Sequence, residues 1–193
     1  MTWTQHDCLL ALKSRLPRTW TPFFARHGSL TPVQQQTIPP ILDGKNTLVI
    51  AATASGKTEA AIAPLLERYC FGPIRRQNGI RSPNRLHILY ICPTRALVRD
   101  LYERLQGPFA ALEVSLTMKS GDTGPVSTRN PPTVLITTPE STDSLLTRAP
   151  RLLAPLQAIV LDEIHLFDGG PRGDQLRCLL RRIETVRAYH QKQ

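Results

Sequence analysis

Two short strings in this chain have residue types and surroundings suited to phosphate chemistry. The first is Ala51-Ala52-Thr53-Ala54-Ser55-Gly56-Lys57-Thr58, between an apolar run, Leu48-Val49-Ile50, and the helical stretch Glu59-Ala60-Ala61-Ile62-Ala63. Strand, small-residue loop, Gly-Lys-Thr and helix is the layout of a phosphate-binding loop. Small residues let backbone N–H groups crowd phosphate oxygens, and the helix start adds a positive dipole end. On this reading Thr53, Ala54, Ser55 and Gly56 cradle the phosphates of ATP. Lys57 reaches the β- and γ-phosphates, and the Thr58 hydroxyl ligates Mg2+. The usual pattern opens with Gly, where this chain has Ala51.

The second string is Asp162-Glu163-Ile164-His165, delivered by the apolar run Ala158-Ile159-Val160-Leu161. It complements the loop: Asp162 would hold Mg2+, and Glu163 would orient and deprotonate the water that attacks the γ-phosphate. His165 either couples nucleotide state to another element or is an ordinary capping or packing histidine. Upstream, one of Gln34, Gln35 and Gln36 could read an adenine edge with its amide. Spacing alone does not choose Gln34 among the three. Thr94 and Arg95, after Cys92-Pro93, could hold a nucleic-acid phosphate or be a plain N-cap and a surface Arg.

The elements that must position these groups alternate. The chain has 193 residues, is 41% hydrophobic and 20% charged, and carries a net charge of +9, mostly from Arg. That suits one globular domain with an anionic partner. A short helix is expected over residues 7–16, then an aromatic stretch with Trp20, Phe23 and Phe24. Thr31 and Pro32 start a helix that runs through Ile38 toward Leu42. Strands are expected at 47–51, 86–91, 114–118, 134–137 and 158–161. Helices follow from Lys57 to about Phe71, from Ala96 to about Gln106, from Thr138-Pro139-Glu140-Ser141 to about Arg148, and from Gly173 to Ala188. Residues 72–85 read as a loop with Arg75, Arg76, Arg81 and Arg85, and 119–132 as a polar loop.

This β-α alternation argues a parallel sheet with helices on both faces. Ligands in such sheets sit at the carboxyl ends of strands. The loop 51–58, Pro93-Thr94-Arg95, Thr138-Pro139-Glu140 and Asp162-Glu163 all fall at such ends, so one shared rim is expected. The four cysteines, Cys8, Cys70, Cys92 and Cys178, are scattered and read as reduced thiols of a cytoplasmic protein. No apolar run approaches the roughly 18 residues that span a bilayer, so no membrane partner is expected.

In order, these strings resemble the first RecA-like domain of superfamily 2 DExH-box helicases, over about Trp20 to Arg187. Leu30-Thr31-Pro32-Val33-Gln34 resembles the Q motif. Ala51–Thr58 resembles motif I, in which an initial Ala is usual. Pro93-Thr94-Arg95-Ala96-Leu97 resembles motif Ia, Thr137-Thr138-Pro139-Glu140-Ser141 motif Ib, and Asp162–His165 motif II. The Ser120-Gly121-Asp122-Thr123 turn, the Thr-Thr-Pro-Glu-Ser string and Pro171-Arg172-Gly173 resemble the Lhr-like branch. One departure is Ala54, where the family commonly has Gly; Ala there is costly only if its φ is positive.

The resemblance implies a P-loop NTPase fold, with residues 1–193 forming one N-terminal RecA-like domain, truncated before motif III and lacking the second lobe. It implies ATP and Mg2+ as cofactors and nucleic acid as partner, with DNA favoured over RNA. Gln34, the loop residues and His165 would serve the nucleotide. Pro93, Thr94, Arg95, Gly121, Thr138, Pro139 and Glu140 would serve the nucleic acid. The intact enzyme would couple ATP hydrolysis to movement along a strand. The rivals are another P-loop phosphotransferase and a non-enzymatic fragment that binds only nucleotide or nucleic acid. With the strand before motif III not encoded, this chain alone is expected to be marginally folded, with negligible ATPase.

Overall fold

The computed structural model describes residues 5–72, 85–121 and 123–191. The chain forms two compact units, Met1–Arg81 and Ser82–Gln193. Arg75, Arg76, Arg81 and Asp122 lie outside the described residues.

The first unit is helical: α1 (Gln5–Arg15), α2 (Trp20–Phe24), α3 (Pro32–Leu42) and α4 (Lys57–Leu66). Its core holds Leu16, Trp20, Phe23, Phe24, Ile38, Ile62 and Leu66. Trp20 and Phe24 meet at 5.6 Å between ring centroids. The helix after the loop departs from expectation. It is α-helical only to Leu66 and continues through Glu67–Phe71 as a π-helical turn. The cause lies far upstream. The Glu67 carboxylate, 7% exposed, accepts from the Arg18 N–H at 3.1 Å, the Thr19 N–H at 2.9 Å and the Thr19 hydroxyl at 3.0 Å. A widened turn is a common device where a side chain is held off helical register.

The strand expected at 47–51 does not form. Residues 45–50 are irregular, with Leu48 70% and Ile50 88% exposed. An apolar, β-branched run supplies propensity, but a strand also needs a ladder neighbour for its backbone groups. No described residue pairs with this run.

The second unit holds the sheet: β1 (Ile88–Ile91), β2 (Leu116–Lys119), β3 (Val134–Thr137) and β4 (Ala158–Leu161), all parallel in the order β2-β3-β1-β4. Three helices accompany it: α5 (Arg95–Ala111), α6 (Pro139–Arg148) and α7 (Pro171–Gln191). Leu89, Ile91 and Leu135 pack with Leu145, Leu146, Leu176, Leu179 and Ile183 of α6 and α7. Ile88, Tyr90, Val134 and Ile136 alternate with them along the strands and so point to the other face. There α5 lies along β2 and β3 and buries Val98, Leu101, Leu105 and Phe109. The α/β class with a parallel sheet and helices is therefore as expected.

Several boundaries moved, those of α5 and β2 among them. α5 runs on to Ala111 despite Gly107 and Pro108, and β2 starts at Leu116 rather than Val114. Buried Phe109 holds the last turns of α5 to the core. β4 is a sheet edge with four half-buried residues.

Candidate nucleotide and nucleic-acid sites

In the first unit, the start of α3 and the loop before α4 are tied together. Thr31 and Gln34 form a capping box: the Thr31 hydroxyl accepts from the Gln34 N–H at 3.2 Å, and Gln34 Oε1 accepts from the Thr31 N–H at 3.0 Å. The Thr31 hydroxyl also donates to the Ser55 carbonyl at 2.9 Å. Gln34 Nε2 stands 3.5 Å from the Gly56 carbonyl. Among the three glutamines the structure thus singles out Gln34, which is buried and turned to the loop. Gln35 donates instead to the Leu30 carbonyl.

The loop backbone is shaped for close approach. Gly56 caps α4 at φ +85°, and a Cβ there would strike the Gln34 amide. Ala54 has φ +60°, the left-handed conformation for which Gly is the low-cost residue. Ala54 therefore takes the costlier, left-handed conformation. Lys57 Nζ donates to the carbonyls of Ala51 and Ala52 at 2.9 and 2.8 Å. The Ser55 hydroxyl oxygen is buried and has no hydrogen-bond partner among the described residues. Thr53 is exposed, and Thr58 is half-buried in the first turn of α4.

In the second unit, the parallel register aligns the strand ends. Ile91 pairs with both Thr137 and Leu161, and Lys119 pairs with Thr137. The turns at Cys92-Pro93-Thr94, Ser120-Gly121, Thr138-Pro139 and Asp162-Glu163 therefore leave the sheet from one row. Thr94 and Thr138 cap α5 and α6, their hydroxyls accepting from the Leu97 and Ser141 N–H groups. A groove of about 660 Å³ opens on this row. Arg95, Lys119, Arg148 and Arg172 bring positive charge to it, and Glu140 brings a carboxylate. The Arg95 guanidinium lies across Gly121: a Cβ on that glycine would come within 2.7 Å of its central carbon.

Of the residues expected to meet nucleic acid, Pro93, Thr94, Arg95, Gly121, Thr138 and Glu140 line this groove, while Pro139 is buried and does not line it. Lys119, Arg148 and Arg172 were not foreseen there. Lys119 had a usable signal, since it ends a strand of the same row.

The acidic string forms its own cluster. Asp162 Oδ1 accepts from the Glu163 N–H at 3.0 Å, and Glu163 Oε2 stands 3.3 Å from His165 Nδ1. Glu163 has φ +45°, uncommon for a residue with a long side chain. Strain of this kind collects at functional positions. Cys92, fully buried, has its thiol pKa pushed up by burial and then by the charge of Asp162. Asp162, Glu163 and His165 are thus brought together in one unit, and Gln34, Ser55, Gly56 and Lys57 in the other.

Residues 31–193 match the family model described as DEAD/DEAH box helicase. The chain belongs to the DEAD/DEAH box helicases. Within the family it is similar to Lhr proteins. It is 34% identical to "Lhr helicase/ probable uracil glycosylase" of Mycolicibacterium smegmatis, over 90% of this chain and 12% of that protein. It is 36% identical to "Lhr helicase/uracil glycosylase" of Escherichia coli, over 90% of this chain and 13% of that protein. Among solved structures, Mycobacterium smegmatis Lhr, bound to ssDNA and AMP-PNP, superposes with a TM-score of 0.74 at 30% identity, covering 91% of this chain and 24% of that one. The chain thus spans about an eighth of the length of these two curated relatives. Among the described residues, no helix is long and apolar enough to cross a membrane.

Proposed function

We propose that this chain is the ATP-binding part of a helicase or translocase that couples Mg-ATP hydrolysis to movement on nucleic acid. Both compact units would belong to one RecA-like lobe. The observation that carries this reading is the row of aligned strand ends. One sheet edge presents the acidic pair Asp162-Glu163 and a groove rich in cations and helix starts. Oriented N–H groups at helix starts and clustered guanidinium groups suit a phosphate backbone and carry no sequence readout.

For the nucleotide, the fit is local to each residue. The buried, unpartnered Ser55 hydroxyl and the glycine-only approach at Gly56 suit a phosphate cradle. Among the described residues no group of three or more His, Cys, Asp or Glu side chains could hold a metal by itself. The Thr58 hydroxyl and the Asp162 carboxylate are each hard oxygen donors of the kind Mg2+ takes when waters and phosphates complete its shell. ATP would supply the transferable γ-phosphoryl group, and Mg2+ positive charge to offset that of the phosphates. Lys57 then holds phosphate charge, Glu163 orients a water and takes its proton, and His165 orients Glu163. Gln34 links the α3 start to the loop and to an adenine edge.

The partner on the groove is a nucleic-acid strand. DNA is favoured over RNA because the Mycobacterium smegmatis relative was solved with ssDNA. A cytoplasmic location fits the free thiols of Cys70, Cys92 and Cys178.

Two measurements test the reading. Lys57→Ala is expected to abolish binding of a fluorescent Mg-nucleotide. Glu163→Gln is expected to keep that binding while stopping hydrolysis in a protein that joins this chain to a second lobe. Undiminished turnover by Glu163→Gln contradicts the assignment. On the nucleic-acid side, affinity for a single strand is expected to fall steeply with salt and to ignore sequence. A flat response between low and physiological salt contradicts it.

A further inference from the structure

We propose that Arg172 is a positioning residue of the nucleic-acid groove: its guanidinium binds the turn at Pro93 and the turn at Glu140 to the segment that carries Asp162 and Glu163. The inference rests on the nucleic-acid reading of that groove.

Arg172 Nη2 donates to the Pro93 carbonyl at 2.6 Å and to Glu140 Oε1 at 2.9 Å. The same guanidinium stands 5.6 Å from the centroid of the Phe167 ring. Phe167 is 3% exposed and ends the 3₁₀ turn Ile164–Phe167, which starts directly after Glu163. Gly173 sits against the Phe167 carbonyl so closely that a Cβ would lie 3.2 Å from the carbonyl carbon and nearer still to its oxygen. Arg172 is therefore fixed from beneath by the ring and along the chain by Gly173. Its head reaches two turns that lie 79 and 32 residues away in sequence.

A guanidinium can stand over a ring and donate to two acceptors from one terminal nitrogen, a planar geometry that an ammonium does not reproduce. The pairing also settles an electrostatic problem. Glu140 stands in the first turn of α6, on a surface whose other charged groups are cations. Unpaired, its carboxylate would repel a phosphate. Paired with Arg172 it is neutralised and held to one side. With those donors committed inside the protein, Arg172 shapes the groove and leaves the phosphates to its neighbours.

The test is fluorescence anisotropy of a dye-labelled oligo-dT with the chain, titrated over a range of salt well below the melting temperature. Arg172→Ala is expected to weaken binding about tenfold, the scale of one charge-assisted contact, with the slope of log affinity on log salt unchanged. Arg172→Lys is expected to recover little, because the shorter side chain and its non-planar ammonium do not reproduce the bridge between Pro93 and Glu140. Adding Glu140→Gln to Arg172→Ala is expected to recover part of the loss, by removing the uncompensated carboxylate. If Arg172→Ala does not fold, Arg172→Lys decides alone, and wild-type affinity in it overturns the proposal. A slope reduced by about 0.7, the value for one phosphate on a single strand, with rescue by Lys, makes Arg172 a phosphate ligand and overturns it too. Salt-independent or absent binding by the unmodified chain removes the groove reading as well. Normal wild-type binding with unaffected variants removes this inference alone.

Discussion

Glu67 offers the sharpest test of what holds the first unit together. Its carboxylate accepts from the Thr19 N–H and hydroxyl, on a residue with no exposed surface, and takes the Arg18 N–H as well. Glu67→Ala strands two buried donors, each worth about 1–3 kcal/mol when unsatisfied. The expected loss is therefore about 2–6 kcal/mol. A unit of the length of Met1–Arg81 holds roughly 4–12 kcal/mol in all, at ~0.05–0.15 kcal/mol per residue. Glu67→Ala should thus leave this unit largely unfolded near its normal melting range. Glu67→Gln keeps an acceptor oxygen and loses only charge assistance, about 1 kcal/mol. The assay is urea unfolding followed by the fluorescence of buried Trp20, which follows Thr19 in the chain. If Glu67→Ala and Glu67→Gln unfold within about 0.5 kcal/mol of each other, the range of a surface change, the carboxylate is not the anchor.

Three further outcomes follow from other contacts. Gly173→Ala places a methyl on the Phe167 carbonyl and should lower the melting temperature by an overpacking cost of about 1–3 kcal/mol; helix propensity alone predicts the opposite sign, so a stabilised variant refutes the clash. Burial pulls the Glu140 carboxyl upward, but hydrogen bonds from its own N–H, Thr138 and Arg172 outweigh it and hold the pKa below the ordinary 4.5. Stability from this group is therefore present above about pH 4.5 and lost as pH falls through the folded value; an acid melt of Glu140→Gln should lack that component. Finally, iodoacetamide should alkylate exposed Cys178 in the native chain and spare Cys92, whose thiol is buried and held protonated; equal labelling, read by peptide mass spectrometry, refutes it.

Local signals told the sequence reader where elements begin. Thr31-Pro32 announced α3, and Thr138-Pro139 announced α6, because an N-cap is a contact between near neighbours. The apolar runs at β1, β3 and β4 were legible for the same reason. What failed was non-local. Residues 47–51 have the composition of a strand, yet a ladder needs a partner that composition does not supply. The π-helical turn at Glu67 is set by Thr19, 48 residues upstream. In the candidate site, Arg95, Thr138 and Asp162 were visible at strand ends. Arg148 and Arg172 reach the groove from the end of α6 and the start of α7, and only the fold brings them there.

The packing of Gly173 on Phe167 also constrains how this family segment can drift. Surface connections usually accept an added or lost residue at little cost. Of Asp168, Gly169 and Gly170, between the 3₁₀ turn and α7, Asp168 and Gly170 can be replaced while Gly169, at φ +70°, keeps its glycine, and the number of the three cannot change. One residue more or less would turn the start of α7 by about 100° relative to Phe167, swinging Arg172 away from Pro93 and Glu140. In related chains this stretch should therefore show substitutions without gaps, a ruler whose length is read and whose markings are not.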